Sequence, residues 1–494
     1  MKTEDELEKK QEENGQNNPQ PDKPYIAGQN MDGEEDNDEL ISAEELEKKK
    51  VQNEFNAMGN TADKQIYAQN ITGPINFITN MNNARPVGPE LPLDKRYDLR
   101  ETADCIEFIE SFKNTEYLPT ALILCLLKAA ALSDLSDLKA RISDLLPHEI
   151  VYDAEGREVY ARETKPYISL NSLLAVIGGK KFVTDEGIQC VTLDDNEMRA
   201  LTNILEQFPA LQDTVLDFIV QMAVNDRYYT IPYSYQVASA AAVLISSHII
   251  DAENKLFPRM YTNSDNLFFL ANMVYSLYSE IDNKDMAELF IRNWLLSDIA
   301  WMWKTLCYIY VQIQNDDSTF KYEKELQRRL LNKVKRLNPV DCGFIAWLLM
   351  YSKSFRTMMC IVFHDAFAAA DNYDRKRSVA QTYINIVRRC YYKVNAHLVE
   401  LPLAACDTKK QQELLTDILE RIMVDFHLRR QLYTILEAYL KELSHYTYDE
   451  KVIKHIAAYI CNMCYAGEEY REDIRSFLKK WQGKAAWQTA GLLE

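Results

Sequence analysis

Glycine and histidine are scarce, at 14 and 7 in 494 residues. Few glycines leave little material for backbone loops that wrap a phosphate, and neither GxxxxGK[ST] nor GxGxxG occurs. HExxH and GxSxG are missing as well, which removes the common zinc-peptidase and serine-hydrolase frameworks. Long apolar runs are also lacking. ALILCLLKAAAL (121–132) and VASAAAVLISSHII (237–250) fall short of the roughly 20 residues that span a bilayer. MKTEDELEKKQEEN at the start carries no apolar signal core. The ten cysteines follow no regular spacing, so reduced thiols are expected. Together these absences point to a cytoplasmic, non-enzymatic protein with no cofactor and no membrane partner.

Charge is present but uneven. Residues 1–50 hold 16 Asp/Glu against 7 Lys/Arg, a net of −9 within a total of −18. So charged and aromatic-poor a stretch buries too little apolar area to offset its ordering entropy, and residues 1–60 are expected to be a disordered acidic tail. Residues 61–92 follow as a short β-type segment that closes in the Pro/Gly-rich linker ARPVGPELP.

Helical periodicity begins after the linker, so the expected class is mainly α. DLRETADCIEFIESF (98–112), YLPTALILCLLKAAAL (117–132) and LSDLSDLKARISDLLP (132–147) read as three helices. Two β-hairpins interrupt them. EIVYDAEGREVYAR (149–162) turns at Asp153–Gly156, and KKFVTDEGIQCVTL (180–193) turns at Asp185-Glu186-Gly187. With the short apolar stretch between them they suggest a small α+β insert or a winged-helix relative. The organisation is then a helical region with two hairpins over 93–193 and a strand-free helical array over 194–494.

Within that array Asp194 and Glu197 read as a capping pair, and Pro209 opens a helix. Leu267, Leu270, Ala271, Val274, Leu277 and Tyr278 share one face. Stripes continue over 286–313, 320–337, 341–351, 354–370, 376–397, 410–422, 424–443, 449–465 and 470–482. Helices of this length joined by short polar loops stack as antiparallel pairs, here an irregular HEAT-like α-solenoid without a fixed repeat.

Candidate chemistry is thin. Cys461-x-x-Cys464 has no second pair to complete a metal site. Cys360 and His364 lie one turn apart but lack an orienting group, and His364-Asp365 lacks the further ligands a phosphohydrolase needs. VIGGKK (176–181) does not have the spacing that wraps a phosphate. Trp294, Trp301 and Trp303 could line a pocket, although Trp294 and Trp301 sharing a helix face points to packing between layers.

The basic residues are more informative. KYEKELQRRLLNKVKR (321–336) holds seven Lys/Arg and two Glu, and further basic residues stand at Arg375-Lys376-Arg377 and at Arg388 and Arg389. If these helices are neighbours, Arg328, Arg329, Lys333, Arg336, Arg388 and Arg389 form a basic binding face on an acidic chain. A solvated face, or one paired with the acidic tail, is the alternative.

QIYAQNITGPINFITN (65–80) contains no Asp, Glu, Lys or Arg. Its β-formers alternate with Asn, Gln and Thr around Gly73-Pro74, a composition that suits cross-β stacking. The residues Ile66, Asn70, Ile71, Gly73, Ile75 and Phe77 make a pattern that resembles the short amyloid-signalling, RHIM-like motifs of bacterial immune proteins. Those motifs stand N-terminal of NLR-like sensors that end in helical repeats. The resemblance covers about 17 residues plus the layout of motif, linker and helical body, and no NTPase module separates the parts here. It implies a sensor or accessory subunit of an antiviral defence system, with an effector or ATPase encoded nearby as partner. A docked edge hairpin is the alternative for the same segment.

The function expected from the chain is therefore a recognition or adaptor protein that binds a protein partner through its helical body. The competing expectation is a nucleic-acid-associated regulator using the basic helices 321–336 and 375–393.

Overall fold

The computed structural model describes residues 95–147, 150–152, 158–160, 169–193, 197–224, 233–316, 318–390, 393–394, 397–398 and 408–443, with isolated positions 93, 472 and 476. All belong to one structural unit, residues 48–494. The tail over 1–60, the segment 65–80 with its six motif residues, Cys461, Cys464 and the stripe over 449–465 lie outside the described residues, as does nearly all of 470–482.

The unit is mainly α with a small antiparallel sheet. It opens with α1 (Thr102–Phe112), α2 (Tyr117–Leu126), β1 (Ala130–Ala131) and α3 (Leu135–Leu145). The hairpin β2 (Ile150–Tyr152) and β3 (Glu158–Tyr160) follows, then α4 (Leu170–Ile177) and the hairpin β4 (Gly179–Val183) and β5 (Gln189–Leu193). The second hairpin turns as its sequence suggests. Gly187 N donates to Thr184 O at 2.8 Å, Thr184 N donates to Ile188 O at 2.9 Å, and Gly187 sits at φ +82°, where an L side chain is strained.

The helix expected over 117–132 ends at Leu126 instead. Leu127 is extended, and Ala130 and Ala131 pair with Val191 and Cys190 to complete the sheet order β1–β5–β4. Alanine favours helix, but here the backbone of a distant hairpin offers a ladder, and tertiary pairing overrides local preference.

The described helices continue with α5 (Glu197–Gln207), α6 (Ala210–Met222), α7 (Tyr233–Ser246), α8 (Phe257–Met260), α9 (Leu267–Tyr275), α10 (Lys284–Leu296), α11 (Met302–Asn315) and α12 (Glu323–Lys333). After them come α13 (Pro339–Tyr351), α14 (Lys353–Ala368), α15 (Tyr373–Arg389), α16 (Lys409–Val424) and α17 (Phe426–Leu443). Short π-helical turns stand at Ala252–Leu256 and Ser276–Glu280. Cap residues mark many starts. Asn283, Asn338, Ser352, Asn372 and Thr408 each accept a bond from a first-turn amide, and Thr408 with Gln411 forms a complete capping box. From α7 onward every second helix packs on the last, α7 on α9, α9 on α11, α13 on α15 and α15 on α17. A matching series joins α10, α12, α14 and α16.

Several expectations over 194–494 are corrected. The region is not strand-free, because β6 (Lys393–Val394) pairs with β7 (His397–Leu398), and α15 stops at Arg389 rather than running to 397. Lys393 therefore belongs to a strand and not to a basic helix. The stripe over 286–313 is two helices, broken at 297–301, where a side chain from α12 takes up the free carbonyls. Trp294 and Trp301 consequently do not share a helix face: one ends α10 and the other caps α11.

The core is continuous through these helices. Leu270, Ala271, Val274 and Leu277 are fully buried, with Tyr278 packed beside them. No helix among the described residues is long and apolar enough to cross a membrane.

Candidate functional site

Because even-numbered and odd-numbered helices alternate from α10 onward, the turns that lead from an even helix into an odd one come together. They are 297–301, 334–338, 369–372 and Asp425. Side chains tie each to the next. The Arg329 guanidinium in α12 donates to the carbonyls of Trp294 (2.8 Å), Leu295 (2.7 Å) and Ser297 (2.8 Å), and Lys333 Nζ reaches Ala300 O at 3.5 Å. Ser378 Oγ in α15 donates to Lys335 O at 3.1 Å. Arg377 Nε donates to Asp425 Oδ2 at 2.8 Å, and Tyr373 OH lies 3.3 Å from the same oxygen. Lys304 at the start of α11 pairs with Asp341 at the start of α13 at 2.6 Å.

This row of turns is unusually apolar. Nine large hydrophobic side chains are exposed among the described residues, and five of them stand on or beside it: Leu296, Val340, Tyr373, Val424 and Phe426. Leu296 is 80% exposed, Val340 63% and Phe426 61%. Scattered exposed apolar residues need no explanation, but a grouped set rimmed by charge marks an interaction surface. Arginines lie among them. The Arg421 guanidinium stacks on the Tyr373 ring at 3.5 Å, and Arg429 lies over Phe426 at 6.0 Å. Arg336 and Arg375 are exposed alongside, with Lys376 and Arg377 half-buried.

Asp425 holds the corner. It is only 7% exposed, and its carboxylate caps α17 by accepting from His427 N (3.0 Å) and Leu428 N (3.2 Å). Burial pushes the carboxyl up, but the Leu428 amide and the Arg377 guanidinium outweigh it and keep the group below the usual aspartate range.

The six candidate basic residues separate into different roles. Arg328 and Arg336 are exposed. Arg329 is not part of a solvated face, since it is the C-terminal cap of α10, and burial lowers its pKa. Lys333 is half-buried against the same turn. Arg388 and Arg389 stand ten or more residues beyond Ser378, about 15 Å along α15, so the contact between the two basic helices does not include them. Arg388 is exposed and Arg389 half-buried, with its pKa lowered by burial.

The chemical candidates are structural where described. Cys360 is buried in the core, with half-buried His364 a turn later, and no group of three His, Cys, Asp or Glu among the described residues could hold a metal. Trp294 donates to Tyr261 OH at 2.7 Å amid Phe257 and Phe290, and Trp303 packs edge-on to Phe344. Gly178 is the left-handed cap of α4, and Gly179 opens β4.

The sequence reading missed the exposed apolar residues. The overlooked signal is a cap followed at once by large apolar residues: Asn338-Pro339-Val340, Asn372-Tyr373 and Asp425-Phe426. The first turn of a helix sits at a layer's rim, so an apolar residue there need not point inward.

No protein-family model matches this chain, and neither does a curated protein or a solved structure.

Proposed function

We propose that this protein is a non-catalytic recognition scaffold whose row of even-to-odd turns binds an acidic, apolar segment of a protein partner. The grouping, among arginines and lysines, of five of the nine large hydrophobics exposed among the described residues carries the reading. Aromatic and arginine side chains are the residues that most often dominate binding energy at interfaces. In this reading α7–α17 stack as an irregular HEAT-like solenoid, supported by the packing of every second helix on the last. In a sensor of the kind that the 65–80 resemblance implies, this surface would meet the trigger.

A nucleic-acid partner is less well supported. Arg375 is paired with Asp371, Arg377 with Asp425 and Lys304 with Asp341, so the cations alternate with carboxylates and form no continuous basic track of the kind a phosphate backbone follows. The aliphatic members Leu296, Val340 and Val424 also offer no ring for a base to stack on.

The test is fluorescence anisotropy on the full chain with labelled acidic peptides that carry Leu and Phe, beside the same peptides with Ser at those positions and a single-stranded oligonucleotide. Binding of the Leu/Phe peptides, weakened at least tenfold by Tyr373→Ala with Phe426→Ala, is the expected result. Oligonucleotide binding with a steep salt dependence would overturn it in favour of the regulator.

A further inference from the structure

We propose that the outer edge of β4 is a strand-addition site and that its occupant is the chain's own uncharged segment, residues 66–79. β4 is the last strand in the order β1–β5–β4, and no described strand pairs with its other side. The phase of the ladder decides which of its backbone groups are open. Thr184 N donates across to Ile188 O, so Phe182 and Lys180, two and four residues back, also face β5. Leu132 N donates to Gln189 O on the opposite side of β5, as that phase requires. The amide and carbonyl groups of Lys181 and Val183 therefore point away from the sheet. Both residues are exposed, so no described element lies over them.

The path of the chain brings the occupant to this edge. Tyr97 N donates to Val176 O at 2.7 Å, and the Arg96 guanidinium lies against Gly178, whose Cβ, if it had one, would meet Arg96 Nη2 at 2.5 Å. Gly178 immediately precedes β4. The chain thus enters the described unit beside the first residue of the open strand. Thr79 lies 16 residues before Lys95. A link of that length can reach at most about 55 Å, more than the roughly 17 Å that a five-residue strand such as β4 runs. Tethering at this range gives a local concentration on the order of millimolar.

The chemistry of the two partners matches. Backbone pairing supplies the affinity in strand addition, and alternate side chains supply the selectivity. Consecutive lysines at 180 and 181 discourage edge-to-edge pairing between molecules that both carry them. Residues 66–79 carry no charge and alternate Ile, Phe and Tyr with Asn, Gln and Thr, so they can meet this edge without repulsion. Gly73-Pro74 limits the added strand to one arm.

Hydrogen–deuterium exchange on the full chain tests this. In the wild type, amides within one arm of 66–79 and those of Lys181 and Val183 should exchange at least tenfold more slowly than in a free peptide. Lys181→Pro removes one outward amide without touching a bond to β5 and should release 66–79. Ile75→Asp with Phe77→Asp should free the Lys181 and Val183 amides while exchange in α7–α17 stays as it was. Exchange of 66–79 at the free-peptide rate in the wild type would overturn the proposal, as would protection there that survives Lys181→Pro. Protection that rises with protein concentration would also overturn it, because the edge would then be pairing with a second copy.

Discussion

The turns that join helices after α9 come in two sets, and they differ in what they show to solvent. The set that enters even helices (281–283, 316–322, Ser352 and 390–408, the last mostly outside the described residues) carries none of the exposed large hydrophobics among its described residues. Its polar groups are taken up nearby: Asn283 bonds Ser246, Asp316 bonds Tyr275, Lys321 pairs with Glu288, and Ser352 is buried as the cap of α14. The set that enters odd helices carries five exposed hydrophobics and a row of arginines. Both sets solve the same problem, the unsatisfied amides and carbonyls of helix ends. Only one does so while leaving apolar area open, so folding alone does not account for it.

The sharpest way to break this comparison is at Arg329. Arg329→Met keeps the aliphatic stem but strands the carbonyls of residues 294–297 that the guanidinium now serves. The expected loss is about 3 kcal/mol in urea unfolding, since bonds to a charged donor are worth more than neutral ones. Arg328→Ala, one residue earlier and exposed, should stay within about 0.5 kcal/mol. Equal effects would mean that the turn at 297–301 does not depend on its cap.

Asp425 comes next, on the same set of turns. Asp425→Asn keeps the shape but loses the charge that Arg377 and the α17 amides favour, at about 2 kcal/mol near neutral pH. The folded carboxyl titrates below its ordinary value. Its stabilisation is therefore fully present above the unfolded aspartate pKa of about 3.9 and is lost as pH falls through the lower folded value. Urea midpoints of wild type and variant should converge across that acidic window and stay parallel above it. On the other set, Ser352→Ala should cost about 1 kcal/mol for the lost cap at Phe355, with no dependence on acid pH.

How much of this was legible depends on how local the signal is. The turn at Gly187 was read because its bonds span four residues; the caps at Asn338, Asn372 and Thr408 are just as local, although the sequence reading did not single them out. Asp194 and Glu197 belong to the same class of signal, but residue 194 lies outside the described residues. The end of α2 at Leu126 could not be read, since it depends on a ladder to Cys190 and Val191, some 60 residues away. The role of Arg329 was hidden for the same reason. Nothing in QRRLLNK distinguishes the arginine that faces water from the one that reaches back to residue 294. Charge counted along the chain put Arg388 beside Arg336, whereas the fold separates them along α15.

The smallest effect is the most telling for the comparison. Leu296→Ser and Phe426→Ser should each leave the thermal midpoint within about 1 °C, because an exposed side chain gives up little buried area on substitution. Leu270→Ser, fully buried on α9, serves as the contrast and should cost several degrees or prevent folding. If Leu296 and Phe426 are kept for packing within the chain, their loss should register as destabilisation. If they are kept for a partner, stability will not change and the peptide anisotropy of Phe426→Ser will. A midpoint lowered by 5 °C or more in either variant would mean that the apolar row is covered by this chain itself, and the difference between the two sets of turns would be one of packing rather than recognition.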